Sequence, residues 1–152
     1  MPEPRTEFLF RAEIDLHPPQ VVGQTPQGNR MIFVVQGGRI EGPNLKGEVL
    51  PGGGDWFLVR ADGAGELDVR GTLRTDDDQL IYISYRGILH AAPEVMARIF
   101  GGQPVEPDEY YFRTAPTFQT ASPKYDWLNR IQAIGIGEVR PGGVAYDVYA
   151  IR

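Results

Sequence analysis

The first clear pattern in the chain is an alternation of apolar and other side chains from position 8 to position 16. Every second residue in this stretch is apolar: Phe8, Phe10, Ala12, Ile14 and Leu16. A period of two residues is typical of a β-strand that buries one of its faces. We expect this strand to end at His17-Pro18-Pro19, because proline cannot donate a hydrogen bond to a neighbouring strand.

Comparable short segments follow, and glycine, proline and small polar residues separate them. The pattern predicts further strands over residues 30–36, 45–50, 55–60, 66–74, 80–88, 110–114, 131–139 and 144–151. Gly37-Gly38 ends or bulges the first of these, which continues over residues 39–41. One helix is predicted over residues 92–100, because Pro93 lies in its first turn and Gly101-Gly102 follows its end. A short helical turn is predicted after Ser122-Pro123, with Ser122 as its cap.

The clearest element is a β-hairpin whose strands, 66–74 and 80–88, flank the turn-forming run 75–79. If Arg74 lies opposite Leu80, the apolar side chains of both strands share one face: Leu67, Val69, Leu73, Ile81, Ile83 and Tyr85. The other face then carries Asp68, Arg70, Thr72, Tyr82, Ser84 and Arg86. In this register Asp68 falls opposite Arg86, and opposite charges that face each other across a strand pair are favourable.

About eight or nine short strands, one helix and no regular alternation of the two favour an all-β fold. The 19 glycines and 13 prolines make up more than a fifth of the 152 residues, which fits many turns between short strands. We predict a single domain over residues 1–152, formed by one antiparallel β-barrel, because closure removes exposed strand edges. A sandwich of two sheets is the alternative.

Charge and composition restrict the partners and the compartment. The net charge is −5 and the fifteen basic residues are scattered, so we expect neither nucleic acid nor membrane as a partner. Cysteine is absent, which excludes disulfides, thiolate nucleophiles and cysteine-ligated metals. The first residues lack the features of a signal peptide, and no segment approaches about 20 continuous apolar residues. We therefore expect the cytoplasm.

The sequence motifs of common enzyme classes are absent. His17 and His90 have no second ligand at metal-binding spacing, and no Gly-x-Ser-x-Gly motif marks a serine nucleophile. The run Pro51-Gly52-Gly53-Gly54 carries no lysine and opens no helix, so it predicts a tight barrel corner and not a phosphate-binding loop. We expect neither a metal nor any other cofactor.

Two interpretations are open for the charged and aromatic residues on the strands. In the first, Asp55 caps a turn through its side chain and Trp56 packs in the core. In the second, both lie at a barrel mouth, where the Asp55 carboxylate acts as a base and the Trp56 indole stacks against the ligand. The charged hairpin face is a solvated exterior with weak ion pairs, or it lines a lumen that holds a polar or anionic ligand. In the second interpretation the residues of that lumen are Asp68, Arg70, Tyr82, Ser84 and Arg86.

The segment from residue 110 to residue 120 is rich in aromatic and hydroxyl side chains. Most of these aromatic residues fit a core. Arg113, with tyrosine, phenylalanine and threonine beside it, also fits a site for an aromatic acid or an enolate. The candidates in this segment are Tyr111, Arg113, Thr114 and Phe118, and Arg30 is a further candidate on an earlier strand.

Several motifs taken together resemble the bacterial and fungal domain-of-unknown-function family DUF3237. They are Glu41-Gly42-Pro43-x-x-x-Gly47-x-x-x-Pro51-Gly52-Gly53 followed by Asp55-Trp56, Leu67-Asp68-Val69-Arg70, Tyr111-Phe112-Arg113-Thr114-x-Pro116-x-Phe118-x-Thr120 and Tyr125-x-Trp127-Leu128-Asn129. The resemblance implies a single-domain antiparallel β-barrel and no agreed reaction. The chain departs from the family at Asp76-Asp77-Asp78-Gln79, where an Asp-Gly pair is typical.

Three functions are compatible with these observations. The first is a cofactor-independent lyase, isomerase or hydratase that acts on a small carbonyl or phenolic compound. The second is a non-catalytic ligand-binding barrel, and the third is an interaction protein, with a homodimer as a general expectation. For the enzyme we predict catalytic residues among Asp55, Asp68, Tyr82 and Tyr111. Its predicted ligand-binding residues are Arg30, Trp56, Arg70, Arg86, Arg113, Thr114 and Phe118.

Overall fold

A computed structural model describes residues 2–152. The described residues form eleven strands: β1 (Thr6–Leu16), β2 (Gln20–Thr25), β3 (Gly28–Glu41), β4 (Lys46–Val49), β5 (Gly54–Val59), β6 (Gly65–Thr75), β7 (Leu80–Ala91), β8 (Tyr110–Thr114), β9 (Thr117–Gln119), β10 (Gln132–Arg140) and β11 (Gly143–Ile151). The helix α1 spans Pro93–Phe100, and two 3-10 helices span Pro107–Glu109 and Asp126–Arg130.

The strands form one antiparallel sheet that closes on itself. Around the ring, the order is β1, β3, β5, β6, β7, β8, β10 and β11, and β11 pairs with β1 again. Strand β4 also connects β3 to β6, beyond the end of β5. Strands β2 and β9 pair with β3 and β7 outside the ring. The predicted all-β antiparallel barrel is therefore confirmed, and a two-sheet sandwich is not formed.

The register of the central hairpin is the predicted one. Arg74 lies opposite Leu80 and Asp68 lies opposite Arg86 in the β6–β7 pair. The six apolar side chains of the shared face are all buried in the core, with exposed fractions of 8% or less. The turn between these strands contains Asp78 with a φ of +60°, a left-handed conformation that aspartate tolerates better than most residues.

The sequence left two outcomes open at Gly37-Gly38, an end of the strand or a bulge. Strand β3 continues through both glycines to Glu41, and its register with β1 shifts by one residue between Val35 and Gly37, so the bulge is the one observed. A Cβ atom on Gly38 would lie 2.1 Å from the carbonyl oxygen of Glu13, so glycine allows β1 to approach closely here. Strand β2 was not predicted, because Val21 and Val22 are both exposed and its residues show no alternation.

Each end of the barrel is covered by a short helical segment. Helix α1, predicted within one residue at its start, buries Val95 and Met96 and brings Phe100 to 5.8 Å from the Phe57 ring. At the other end, the 3-10 helix Asp126–Arg130 buries Leu128 completely. Ser122 does not cap this segment, which follows Tyr125 and has no side-chain cap.

The core fills the barrel. The largest fully buried side chains are those of Phe10, Phe112, Ile81, Leu128 and Pro116. A small cavity of about 30 Å³ lies among these inward-facing side chains. No helix formed by residues 2–152 has the length and apolar character needed to cross a membrane.

Candidate functional site

The structure decides which face of the central hairpin lines the barrel. The apolar face points inward, so the charged face is the exterior and the interpretation of Asp68, Arg70 and Arg86 as lumen residues is corrected. Tyr82 and Ser84 also lie on this outer face, where both are half-buried. The physical reason is that the barrel interior excludes charge that it cannot pair. No ion pair joins Asp68 to Arg86 among the described residues, although they face each other.

Trp56 and Arg30 belong to the same exterior. Trp56 is 39% exposed and lies opposite Ile32 on the outer side of β5. The Arg30 guanidinium donates a hydrogen bond to the backbone carbonyl of Trp56 at 2.7 Å, and the Arg70 guanidinium lies 5.9 Å from the indole centroid. Neither arginine therefore lies where it would hold a ligand inside the barrel.

The candidate site residues on β8 and β9 lie on both the outer and the inner side of the barrel wall. Tyr111 is 53% exposed, and the guanidinium of the exposed Arg113 lies 5.1 Å from its ring centroid. Thr114 points inward, is 6% exposed and contributes to the wall of the small cavity. Phe118, on β9, is buried in the core, where its ring centroid is 6.1 Å from that of Phe10.

Asp55 is the predicted carboxylate that faces the interior. It precedes the buried Phe57 by two residues and lies opposite Phe33 on β3 and Val69 on β6. Its Oδ1 atom accepts a hydrogen bond from the backbone N–H of Asp68 at 3.0 Å. This bond lies where direct pairing of β5 with β6 is interrupted, between Asp55 and Leu58. The carboxylate thus replaces a backbone acceptor in the barrel wall.

The environment of Asp55 favours its neutral form. Burial raises its pKa from 3.8 to about 7, and the charge of Asp68 acts in the same direction. The hydrogen bond from the Asp68 backbone and the charge of Arg30 oppose this increase without cancelling it. Asp55 is therefore close to half-protonated at neutral pH, which is the condition for giving and taking protons.

Two buried tyrosines lie within the electrostatic reach of Asp55. The rings of Tyr85 on β7 and Tyr146 on β11 meet edge to face, with their centroids 5.2 Å apart. Burial raises the pKa of both tyrosines, and a negative charge on Asp55 raises them further. Both phenols therefore stay protonated at neutral pH and are available as hydrogen-bond donors.

Inward-facing glycines make room for this group of aromatic side chains. A Cβ atom on Gly135 would lie 2.2 Å from the Thr114 hydroxyl, and one on Gly137 would lie 2.5 Å from the Phe112 ring. The Phe112 ring in turn packs at 5.4 Å from that of Tyr146. Sequence analysis did not identify Tyr85 or Tyr146 as site residues. The available signal was a tyrosine hydroxyl at an inward position of an apolar strand, which needs a polar neighbour when buried.

Comparison with known proteins assigns the family. A model of the family described as "Protein of unknown function (DUF3237)" matches residues 4–151. The chain belongs to the DUF3237 family. The resemblance of its motifs to that family is confirmed.

Relatives of this DUF3237 chain occur in bacteria and fungi. A UPF0311 protein of Clostridium acetobutylicum is 42% identical over 123 residues, which cover 80% of this chain and 78% of the relative. The crystal structure of a conserved protein of unknown function from Rhodopseudomonas palustris matches with a TM-score of 0.96 and 30% identity, and covers 100% of both chains. A protein of Penicillium herquei named "Hydroalkoxylation enzyme" is 30% identical over 133 residues, which cover 87% of this chain and 73% of the relative.

The concavities of this DUF3237 barrel differ in size and position. The interior cavity of about 30 Å³ has Tyr85, Thr114 and Tyr146 in an otherwise mostly aliphatic wall. A larger open groove of about 470 Å³ lies at the opposite end from α1 and is bordered by Lys46, Asp76 and Trp127. Among residues 2–152, no three histidine, aspartate or glutamate side chains are grouped so that they would hold a metal ion.

Proposed function

We propose that this protein is a cofactor-independent acid–base enzyme that adds a hydroxyl group across a carbon–carbon double bond of a small neutral molecule. One observation carries the proposal: the inward-facing Asp55 has a pKa of about 7 and lies within electrostatic reach of two buried tyrosines. The fungal relative named hydroalkoxylation enzyme supports it, since hydroalkoxylation is the addition of an alcohol across such a bond. The same groups run in reverse would perform the elimination of a lyase.

The proposed proton transfers balance without an oxidant or a reductant. Ionised Asp55 takes the proton of the substrate hydroxyl. At the same time, the oxygen of that hydroxyl forms a bond to one alkene carbon. The electron pair of the double bond moves to the other carbon, and a conjugated carbonyl oxygen receives it as an enolate. A tyrosine hydroxyl donates a hydrogen bond to that oxygen, which is the role we assign to Tyr85 or Tyr146. The Asp55 carboxyl then returns the proton to the carbon.

The lining of the site favours a neutral and largely apolar substrate. Asp55 lies beside Phe33, and the Phe33 and Phe57 rings meet edge to face at 6.1 Å. The arginines that sequence analysis assigned to a substrate anion lie on the exterior instead. An enone that carries a phenol or an alcohol has the required hydroxyl, double bond and carbonyl, so it remains within the predicted carbonyl or phenolic class.

The test is a turnover assay on a panel of hydroxyphenyl enones, followed through the loss of enone absorbance. We expect Asp55→Asn to lower the rate by roughly 10² or more, which is typical for loss of a general acid–base group. Asp15→Asn is the matched control, because Asp15 is an exposed carboxylate on the outside of the barrel. In D₂O the product should gain one deuterium on the carbon next to the carbonyl. Full activity of Asp55→Asn, or loss only with Asp68→Asn, would contradict the assignment.

The tyrosines are tested separately from the carboxylate. Tyr85→Phe and Tyr146→Phe keep the ring and remove the hydroxyl, so a loss of kcat with little change in fold would support the proposed donor role. Removal of a single preorganised donor at a developing oxyanion typically lowers kcat by about 10²–10³. If both variants keep full kcat, the tyrosines only fill the core and the enolate has another donor.

An interaction protein without turnover is the second candidate, and the interior volume favours it. A cavity of about 30 Å³ is far below the ~300–1,000 Å³ of ordinary ligand pockets. For the enzyme, substrate must therefore approach Asp55 from its exposed side or displace Phe100, which is 42% exposed and covers Phe57. Phe100→Ala should then lower KM or raise kcat. In the interaction protein, no compound is turned over and this substitution changes only stability.

A further inference from the structure

Six residues that the proposed reaction does not use form one continuous outer surface, which we call the arginine face: Arg30, Trp56, Arg70, Arg86, Tyr111 and Arg113. Arg70 lies opposite Ser84 on β7, two residues before Arg86, and Arg113 lies opposite Ile88, two residues after it. Diagonal neighbours in an antiparallel sheet are about 7–8 Å apart. Three guanidinium groups therefore follow one another across β6, β7 and β8.

The arginine face carries positive charge that the chain itself does not neutralise. Among residues 2–152, eight arginines contact a carboxylate within 4.0 Å. Of the five arginines outside these ion pairs, four are on the arginine face, and the fifth is Arg5 near the start of the chain. The chain has twenty acidic residues for fifteen basic ones. Strand β6 places two carboxylates beside these arginines: Glu66 contacts Arg60, and Asp68 lies opposite Arg86 without an ion pair to it.

Two aromatic rings hold the outer guanidinium groups of this row. Arg70 stacks over Trp56 at 5.9 Å and Arg113 over Tyr111 at 5.1 Å, and both rings are substantially exposed. The Arg113 Nη1 atom donates a hydrogen bond to the backbone carbonyl of Phe112 at 2.9 Å, which leaves its other N–H groups for a ligand. A guanidinium fixed on a ring in this way loses less side-chain entropy when it binds a carboxylate. The arrangement is thus preorganised for anions.

We propose that the arginine face binds an acidic, extended segment of another protein. Neighbouring strands are about 4.7–4.9 Å apart, and alternate side chains of an extended peptide are about 6.6–6.8 Å apart. A peptide with acidic residues at every second position that crosses β6, β7 and β8 would match the diagonal spacing of the three arginines. Each carboxylate would accept charge-assisted hydrogen bonds from one guanidinium.

The charge distribution argues against other occupants. Two copies that met through the arginine face would bring like charges together. Nucleic acids and anionic bilayers present dense negative charge over a wide area, which the remaining surface of a chain with net charge −5 repels. A short acidic peptide contacts the face alone.

The test is a titration of the full-length ¹⁵N-labelled protein with a peptide of about ten residues in which glutamate and alanine alternate. The chain has two tryptophans, so Trp56→Phe identifies the Trp56 indole resonance, which we expect to shift on binding. The triple variant R70Q/R86Q/R113Q should bind the peptide at least roughly tenfold more weakly. The control R5Q/R39Q/R130Q loses the same charge from other surfaces and should bind like the unmodified protein.

The result also separates this inference from the proposed reaction, because Asp55→Asn should bind the peptide normally. Equal weakening in both triple variants, or no binding by the unmodified protein at low salt, overturns the proposal. So does tighter binding of single-stranded oligothymidine, or of phosphatidylcholine vesicles with about one fifth phosphatidylserine, since either assigns the face to another partner. A glutamine-for-glutamate peptide that binds equally well overturns it too, because the interaction then needs no charge.

Discussion

Replacing Asp55 by asparagine should stabilise the protein at neutral pH. Asparagine keeps an oxygen that accepts the Asp68 backbone N–H, and it has no charge to desolvate. In the folded protein the pKa of Asp55 is raised from 3.8 to about 7, so folding favours its protonated form. Ionised Asp55 therefore opposes folding. The gain in stability from Asp55→Asn depends on the pH at which the free energy of unfolding is measured.

The magnitude follows from linkage between protonation and folding. Below about pH 4, Asp55 is protonated in both states and affects stability little. Between about pH 4 and pH 7 the unfolded chain releases this proton first, so stability falls by up to about 1.4 kcal/mol for each pH unit. Above about pH 7 the loss is complete, at up to about 4 kcal/mol relative to asparagine.

The assay is urea unfolding of both proteins at a series of pH values from about 4 to about 8. The difference between the two free energies of unfolding isolates Asp55, because groups with lowered pKa values, such as Asp62 and Asp77, contribute equally to both. We expect no difference at the acidic end and a growing advantage of the variant toward neutral pH. Parallel curves, or a variant that is less stable at about pH 8, would refute the buried-carboxylate argument.

Four further substitutions test the packing and the surface ion pairs of the barrel. Gly65→Ala should destabilise the fold by about 1–3 kcal/mol in thermal or urea unfolding, because its Cβ would lie 2.2 Å from the Phe57 ring. Gly71→Ala in the same strand has its nearest neighbour at 3.9 Å and should be nearly neutral, and equal effects of both would contradict the steric explanation. Leu128→Ala should lower the free energy of unfolding by about 2–5 kcal/mol, since Leu128 is fully buried at the end of the barrel. A change under about 1 kcal/mol would show that the packing at this end adds little to stability. Arg11→Gln should lower the free energy of unfolding by at most about 1 kcal/mol despite contacts with three carboxylates, because these pairs are well exposed. A larger loss in a double-mutant cycle would contradict this.

The barrel was predictable from the sequence because its signals are local. Alternation identified most strands, and the β6–β7 register followed from one turn and one pair of opposite charges, Asp68 and Arg86. The motif resemblance added the family, which the comparisons confirm. Strand β2 escaped prediction because neither face of it is buried, so Gln20–Thr25 carries no period of two.

The candidate site was only partly predictable. Asp55 was a candidate, but a strand sequence alone does not tell which face lines a barrel, so Asp68, Arg70 and Arg86 entered the same site as an alternative. The decision depends on the apolar side chains of all neighbouring strands together. The contact between Tyr85 and Tyr146 joins β7 to β11 across the interior, and no local pattern indicates which distant strands meet there.

The last strand of the barrel has a consequence for how the chain folds during synthesis. Strand β11 lies between β1 and β10, and backbone hydrogen bonds join Arg5 to Arg152 in both directions. Strand β1 therefore keeps an open edge until β11, the last strand of the barrel, has been translated. Until then one edge of β1 and one edge of β10 carry unpaired backbone groups, and open edges of this kind are where strands of a nascent chain mispair.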